Sequence, residues 1–181
     1  MRSVIEDRRI IEDRWQHVAD EAELPAGAVI VSLARWRRDR KALLERGEPL
    51  GVRLPNTAGV AELAEDLPAL AVVALEFPKF ADGRAFSQAR LLRERLGYRG
   101  QIRAVGDVLR DQLLFMARCG FDAFELRADR DPDDALAAFD EFSESYQPAV
   151  DQPQPVDAFV HRALVGDAEH IGGNLQYIAE N

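Results

Sequence analysis

Apolar and polar positions fall into blocks along this chain, and from residue 28 the blocks repeat in one order. Ala28–Leu33 is a continuous apolar, β-branched run of strand length. A helical pattern follows from Arg35, with Trp36, Leu43 and Leu44 on one side and Gly47 as its stop. Leu50–Leu54 reads as a second strand. Pro55-Asn56-Thr57 then opens a segment with Val60, Leu63, Ala64 and Leu67 at helical spacing. Leu70–Phe77 is the most apolar run of the chain and a third strand. Arg84 begins a helix that carries Phe86, Ala89, Leu92 and Leu96 inward, and Gly97 and Gly100 bracket the turn into a fourth strand, Ile102–Val105. Gly106-Asp107 starts a fourth helix with Val108, Leu109, Leu113 and Met116, and Gly120 suits its C-terminal left-handed position. Phe121–Leu126 is a fifth strand. Asp131-Pro132 starts a last helix as carboxylate cap and first-turn proline, with Leu136, Phe139 and Phe142 as its stripe. Ahead of the repeat, Val4-Ile5 and Ile10-Ile11 flank a charged turn, the pattern of a small hairpin.

Five alternating strand–helix units predict an α/β fold with a mostly parallel sheet covered by helices. Two architectures satisfy that alternation, a partial TIM-like barrel and an open doubly wound sheet. Both place binding loops at the carboxyl ends of the strands. The expected organisation is one domain over 1–147, with the hairpin in 1–16 and the core in 28–147. A Pro-rich linker and tail follow over 148–181, with a short helix over 156–165 and a break at Gly172-Gly173-Asn174.

Charge narrows the functional classes. The 181 residues carry a formal net charge of -9, which repels phosphate backbones and argues against a nucleic-acid partner. The basic run Arg35–Lys41 is the local exception, and its spacing suits the solvated face of a helix. Cys119 is the only cysteine, so an intrachain disulfide, a zinc ribbon and a four-cysteine cluster are excluded. Its place at a helix C-terminus is the wrong end for an activated thiol and suits a small packed side chain. A lone cysteine fits a reducing, cytoplasmic compartment. The N-terminus has no apolar signal core, and no run approaches the length that spans a bilayer. His17, His161 and His170 have no metal-ligand spacing, so no metal is expected. Nucleotide and P-loop fingerprints are absent as well, and the cofactor stays unknown.

The polar residues that follow each strand are Arg35, then Asn56 and Thr57, then Lys79, Asp82 and Arg84, then Asp107, then Arg127 and Asp129. If the strands are parallel, these residues share one rim. Lys79 and Arg84, beside helix N-termini, make an anion site there, for phosphate, carboxylate or a sulfur oxyanion. Asp82 and Asp107 are the candidate acid or base. The competing reading makes both aspartates helix caps and pairs Arg84 with a carboxylate. Arg103 lies within the fourth strand, where a charge demands a partner. It is either a buried ion pair or a further anion contact at an exposed strand end.

The run Phe77-Pro78-Lys79-Phe80-Ala81-Asp82-Gly83-Arg84 resembles the signature of a bacterial family, domain-of-unknown-function family 934. Ser87, Ala89 and Arg90 behind it belong to the likeness. So do Gly97-Tyr98-Arg99-Gly100, Arg103-Ala104-Val105-Gly106-Asp107-Val108, Asp111-Gln112 and Arg118-Cys119-Gly120-Phe121-Asp122-Ala123-Phe124. The resemblance covers residues 28 to 147. Genes of that family commonly neighbour assimilatory sulfite reductase, and its members are often labelled oxidoreductases without a demonstrated reaction. The resemblance implies a role in sulfur assimilation and cysteine biosynthesis, with sulfite reductase as partner, and it brings no catalytic residues with it. Two functions stand as expectations: an accessory protein acting by contact, and an enzyme for a small anion at the rim. Noncovalent flavin binding at that rim is a third.

Overall fold

The computed structural model describes residues 3–127 and 129–139. The expected linker, tail helix and chain break, and the stripe position Phe142, lie outside the described residues. Among the described residues there are eight strands, β1 (Ser3–Glu6), β2 (Arg9–Glu12), β3 (Gln16–His17), β4 (Val29–Ser32), β5 (Leu50–Leu54), β6 (Val72–Phe77), β7 (Gln101–Gly106) and β8 (Ala123–Phe124). The same described residues form four α-helices, α1 (Leu33–Leu44), α2 (Arg84–Arg90), α3 (Leu113–Arg118) and α4 (Pro132–Ala137). All eight strands form one sheet in the order β2-β1-β8-β7-β6-β5-β4-β3.

Strands β3 to β8 are parallel and lie side by side in chain order. A doubly wound sheet needs the strand order to reverse, and here it does not. Crossovers of one hand in one direction put every helix on the same face. The apolar residues of the helices bear this out. Leu33, Trp36 and Leu43 of α1, Ala85 and Ala89 of α2, Leu113 and Met116 of α3 and Ala135 of α4 all join the core built on Val31, Val52, Leu54, Val73, Leu75, Ile102 and Ala104.

The N-terminal hairpin is present, and its turn residues Asp7 and Arg8 both have positive φ, as a tight two-residue hairpin turn requires. The sequence did not signal where it goes. Strand β1 pairs antiparallel with β8, which places β2 at one edge of the sheet. Strand β3, also unforeseen, lies at the opposite edge against β4. Only residues 13–15 join β2 to β3. In a flat eight-stranded sheet the edge strands stand roughly 34 Å apart, from a spacing of about 4.8 Å per strand. The four steps from Glu12 to Gln16 reach at most about 14 Å. The sheet is therefore curled, and the 13–15 segment crosses its concave side. Trp15 fills that side against Ala28, Ile30, Val72, Ala74 and Val105.

The helices are shorter than their apolar spacing predicts. In place of the second helix are two tight turns, Val60–Leu63 and Leu67–Ala69. Pro68 has no N–H to donate, which prevents a continuous ladder. Helix α2 widens after Arg90, where the Leu96 N–H reaches Leu91 five residues back. Gly106-Asp107 does not open a helix. Gly106 has a φ of 100°, and the Asp107 N–H donates to the Phe77 carbonyl at 2.8 Å, so the chain turns along β6 before α3. Gly120 does end α3 in the left-handed conformation. Leu44, expected to face inward, is exposed.

Candidate functional site

The carboxyl ends of β5, β6, β7 and β8 carry the polar residues that the strand pattern assigned to one rim. On the β6 loop, Arg84 donates to Asp82 through two nitrogens, Nε to Oδ1 at 2.9 Å and Nη2 to Oδ2 at 2.6 Å. The Arg84 backbone N–H adds a third bond to Oδ1 at 3.2 Å. The guanidinium holds the Asp82 carboxyl well below the usual carboxylate range. Asn56 adds a weaker pull in the same direction. Asp82 and Arg84 thus satisfy one another, and Gly83, between them, is the N-cap of α2. Lys79 is exposed one turn away and makes no ion pair among the described residues.

Asp107, after β7, joins two other parts of the rim. Its Oδ2 accepts the Phe80 N–H at 2.9 Å, and its Oδ1 accepts from Arg127 Nη1 at 3.0 Å. Gln112 reinforces the same loop by donating to the Phe80 carbonyl at 3.1 Å. Arg127 also forks onto Asp129, at 2.6 and 2.9 Å. The rim is therefore a chain of internal pairs, and Asp107 is a clamp between the β6 loop and the segment after β8. Beside it, a cavity of about 640 Å³ opens at the ends of β7 and β8, lined by Gly106, Glu125, Arg127, Arg130 and Pro132.

Arg103 does not join this rim. It lies three residues below Gly106 on β7, about 10 Å down the strand at the usual rise. It is fully buried on the concave side. Its in-register neighbours on β6 and β8 are Ala74 and Ala123, small residues that leave room for a guanidinium. Arg103 donates to Gln101 at 3.0 Å, Asp13 at 2.9 Å and Glu125 at 3.1 Å. His17 meets the same Glu125 Oε1 at 2.7 Å. A charge moved into this interior without partners would be strongly disfavoured, and two carboxylates meet it here.

No sequence motif marks Asp13 or Glu125, and His17 stands out only as a histidine without metal-ligand spacing. The signal that was there is a period of two: Asp13, Trp15 and His17 alternate, as inward positions of an extended segment must. Nothing in the sequence says that this segment crosses a curled sheet rather than extending a hairpin.

The basic run at the start of α1 is drawn into the fold. Arg35 is buried and donates to the Ala19 carbonyl at 2.6 Å. Arg37 pairs with Glu62, and Arg38 with Glu21 at 2.8 Å. Arg40 reaches Asp66, which also accepts from Trp36 Nε1 at 3.1 Å. Ser32 caps the helix by accepting the Arg35 N–H at 3.0 Å, while its own hydroxyl donates to Asp20 at 2.6 Å. Cys119 is buried in the main core. Among the described residues no group of three or more His, Cys, Asp or Glu is placed to hold a metal ion, and no helix is long and apolar enough to cross a membrane.

No curated protein matches the chain. A family model does match it, over residues 51–157, from β5 through the rim loops and past α4. That span begins later and ends later than the 28–147 over which the motifs are recognisable, and it includes Lys79, Asp82, Arg84, Arg103 and Asp107. It covers more than half of the sequence, and the chain belongs to the family described as bacterial protein of unknown function, DUF934.

Proposed function

We propose that this chain is an accessory protein of assimilatory sulfite reduction, supporting or regulating sulfite reductase by protein contact. The observation that carries the contact reading is the state of the rim. Asp82 and Arg84 neutralise one another, and Asp107 spends both carboxylate oxygens on Phe80 and Arg127. Groups committed in this way must break existing bonds before they bind an anion or move a proton. The sulfur-assimilation setting comes from the resemblance in the rim and strand motifs. Deleting the gene is expected to create a cysteine requirement that sulfide relieves and sulfite does not. Normal growth of the deletion strain on sulfite, with no second copy of the gene, would overturn this reading.

A second reading is a small-molecule enzyme, such as an oxidoreductase, acting on an anionic substrate at the strand C-terminal rim. Lys79, exposed and unpaired among the described residues, and the cavity beside Arg127 and Arg130 favour it. In this reading Lys79 and Arg84 hold the anion, and Asp82 or Asp107 handles the proton. It expects a loss of turnover in Lys79→Ala and Arg84→Ala with melting temperatures close to the parent. A large fall in melting temperature in both variants would make the loop structural instead.

A further inference from the structure

The chain is acidic as a whole, but its charge is unevenly spread. Residues 79–118 carry nine basic and four acidic residues, net +5, so the remainder carries -14. Of the nine, Arg103 is buried in the concave side and Arg93 is tied to the Tyr98, Gly100 and Gly120 carbonyls and to Asp122. The others belong to the β6 loop, α2, α3 and the turns around them. Among the described residues, this is the part that exposes large aromatic side chains.

Phe115 on α3 is 55% exposed and Phe80 on the β6 loop is 46% exposed. The two are joined by short steps. Gln112, just ahead of α3, donates to the Phe80 carbonyl at 3.1 Å. The Phe115 ring stands 4.9 Å from that of Phe86 on α2, edge to face, and Phe86 in turn packs on the buried Phe77 at 5.2 Å. The Phe115 ring is thus the outer end of an aromatic stack anchored in the core, and Phe80 is held beside it through its backbone. Lys79 adjoins Phe80, and Arg90 lies one turn along α2 from Phe86. The pair that Arg90 makes with Glu94 is exposed, at about half solvent access on both side chains. Exposed pairs of this kind contribute little and exchange readily for a partner's carboxylate.

We infer that Phe80, Phe86 and Phe115, with the neighbouring Lys79 and Arg90, form a docking surface for a protein whose contact segment carries acidic residues around an apolar anchor. Aromatic residues and arginine are the side chains enriched where interfaces are tightest. The field supplies the orientation. An acidic partner is repelled by the net charge of the chain as a whole and attracted to a face where the sign reverses. The inference rests on the contact reading proposed above, but not on which protein the partner is.

The test uses the full chain in its native cells, with a photo-crosslinking phenylalanine analogue in place of Phe115 or, for comparison, of the exposed Leu44 on α1. The expected result is crosslinking from position 115, and not from position 44, into an Asp- and Glu-rich segment of one other protein. With that protein purified, Phe115→Ser and the double variant Lys79→Glu, Arg90→Glu should each weaken binding at least tenfold. Leu44→Ser should leave it unchanged, and all variants should melt close to the parent. Crosslinks to a second copy of this chain, to its own residues 140–181, to nucleic acid, or to nothing beyond the position-44 background would overturn the inference. So would an affinity indifferent to both Phe115→Ser and the charge reversal. A normal deletion phenotype with position-115 crosslinks in place would sink the sulfite role and leave the surface standing.

Discussion

Asp107 ties three segments together with one carboxylate: it follows β7, receives the Phe80 N–H of the β6 loop, and pairs with Arg127 after β8. Asp107→Ala should cost about 2 kcal/mol, the scale of losing charge-assisted hydrogen bonds. Hydrogen exchange at the Phe80 amide should speed up more than exchange in β6 itself. An unchanged Phe80 amide would mean that Gln112 alone holds the loop. Gly106 beside it has no alternative residue. A Cβ there would sit 2.4 Å from the Phe77 carbonyl oxygen, at a φ of 100°. Gly106→Ala should destabilise by about 2 kcal/mol or more, from strain in a backbone region that L side chains disfavour. A urea titration gives the value, and a shift under 0.5 kcal/mol, about the size of an ordinary surface change, would contradict the geometry. The Gly-Asp pair is legible in the sequence as punctuation. Its use as a clamp rather than a helix start depends on where Phe80 and Arg127 lie, which no local pattern encodes.

At the scale of elements, apolar runs located the five central strands well because burial on both faces leaves a continuous signal. Helices were overextended because 3.6-residue spacing records which residues face the core, and two tight turns can present Val60, Leu63 and Leu67 to it as well as a helix can. Strands β1 and β2 were visible, whereas two-residue β3 is too short for any periodic reading. Arg103 shows the same limit from the side of charge. Its need for a partner follows from its strand position, and the partners come from segments 90 and 22 residues away. Arg103→Met should destabilise by about 3–5 kcal/mol, because it strands two buried carboxylates. Adding Asp13→Asn and Glu125→Gln should return part of that loss, and the difference measures the coupling. If Arg103→Met melts like the parent, the cluster is not holding the 13–17 segment to the sheet.

For the whole molecule, acid sensitivity follows from groups with opposite signs. Arg40 first, with Trp36, holds the Asp66 carboxyl below its ordinary value against the effect of burial. A depressed carboxyl stabilises fully above the unfolded value of about 4 and loses that contribution as pH falls through its lower folded value. Asp122 runs the other way. Burial raises its carboxyl despite the Ile102 N–H and Arg93, so its ionisation costs stability as pH rises from about 4. Asp66→Asn should therefore lower the melting temperature at pH 7, by about 2 kcal/mol of stability, and flatten the fall below pH 4. Parallel curves for variant and parent across that range would remove Asp66 from the account.

The sequence by itself determined the α/β class, the central strands, the hairpin, the caps at Asp131 and Gly120, and the grouping of Lys79, Asp82, Arg84 and Asp107 at strand ends. These follow from local propensity and the two periodicities, which each residue carries with it. Tertiary structure alone decided that the sheet runs in chain order and curls, that the hairpin closes on β8, and that Arg103 turns away from the rim to meet Asp13 and Glu125. Strand order, register across distant segments and the partner of a buried charge are set by packing between residues far apart in the chain. Many arrangements satisfy the same hydrophobic pattern, and only the one that buries Trp15 and pairs Arg103 together joins β2 to β3 with three residues.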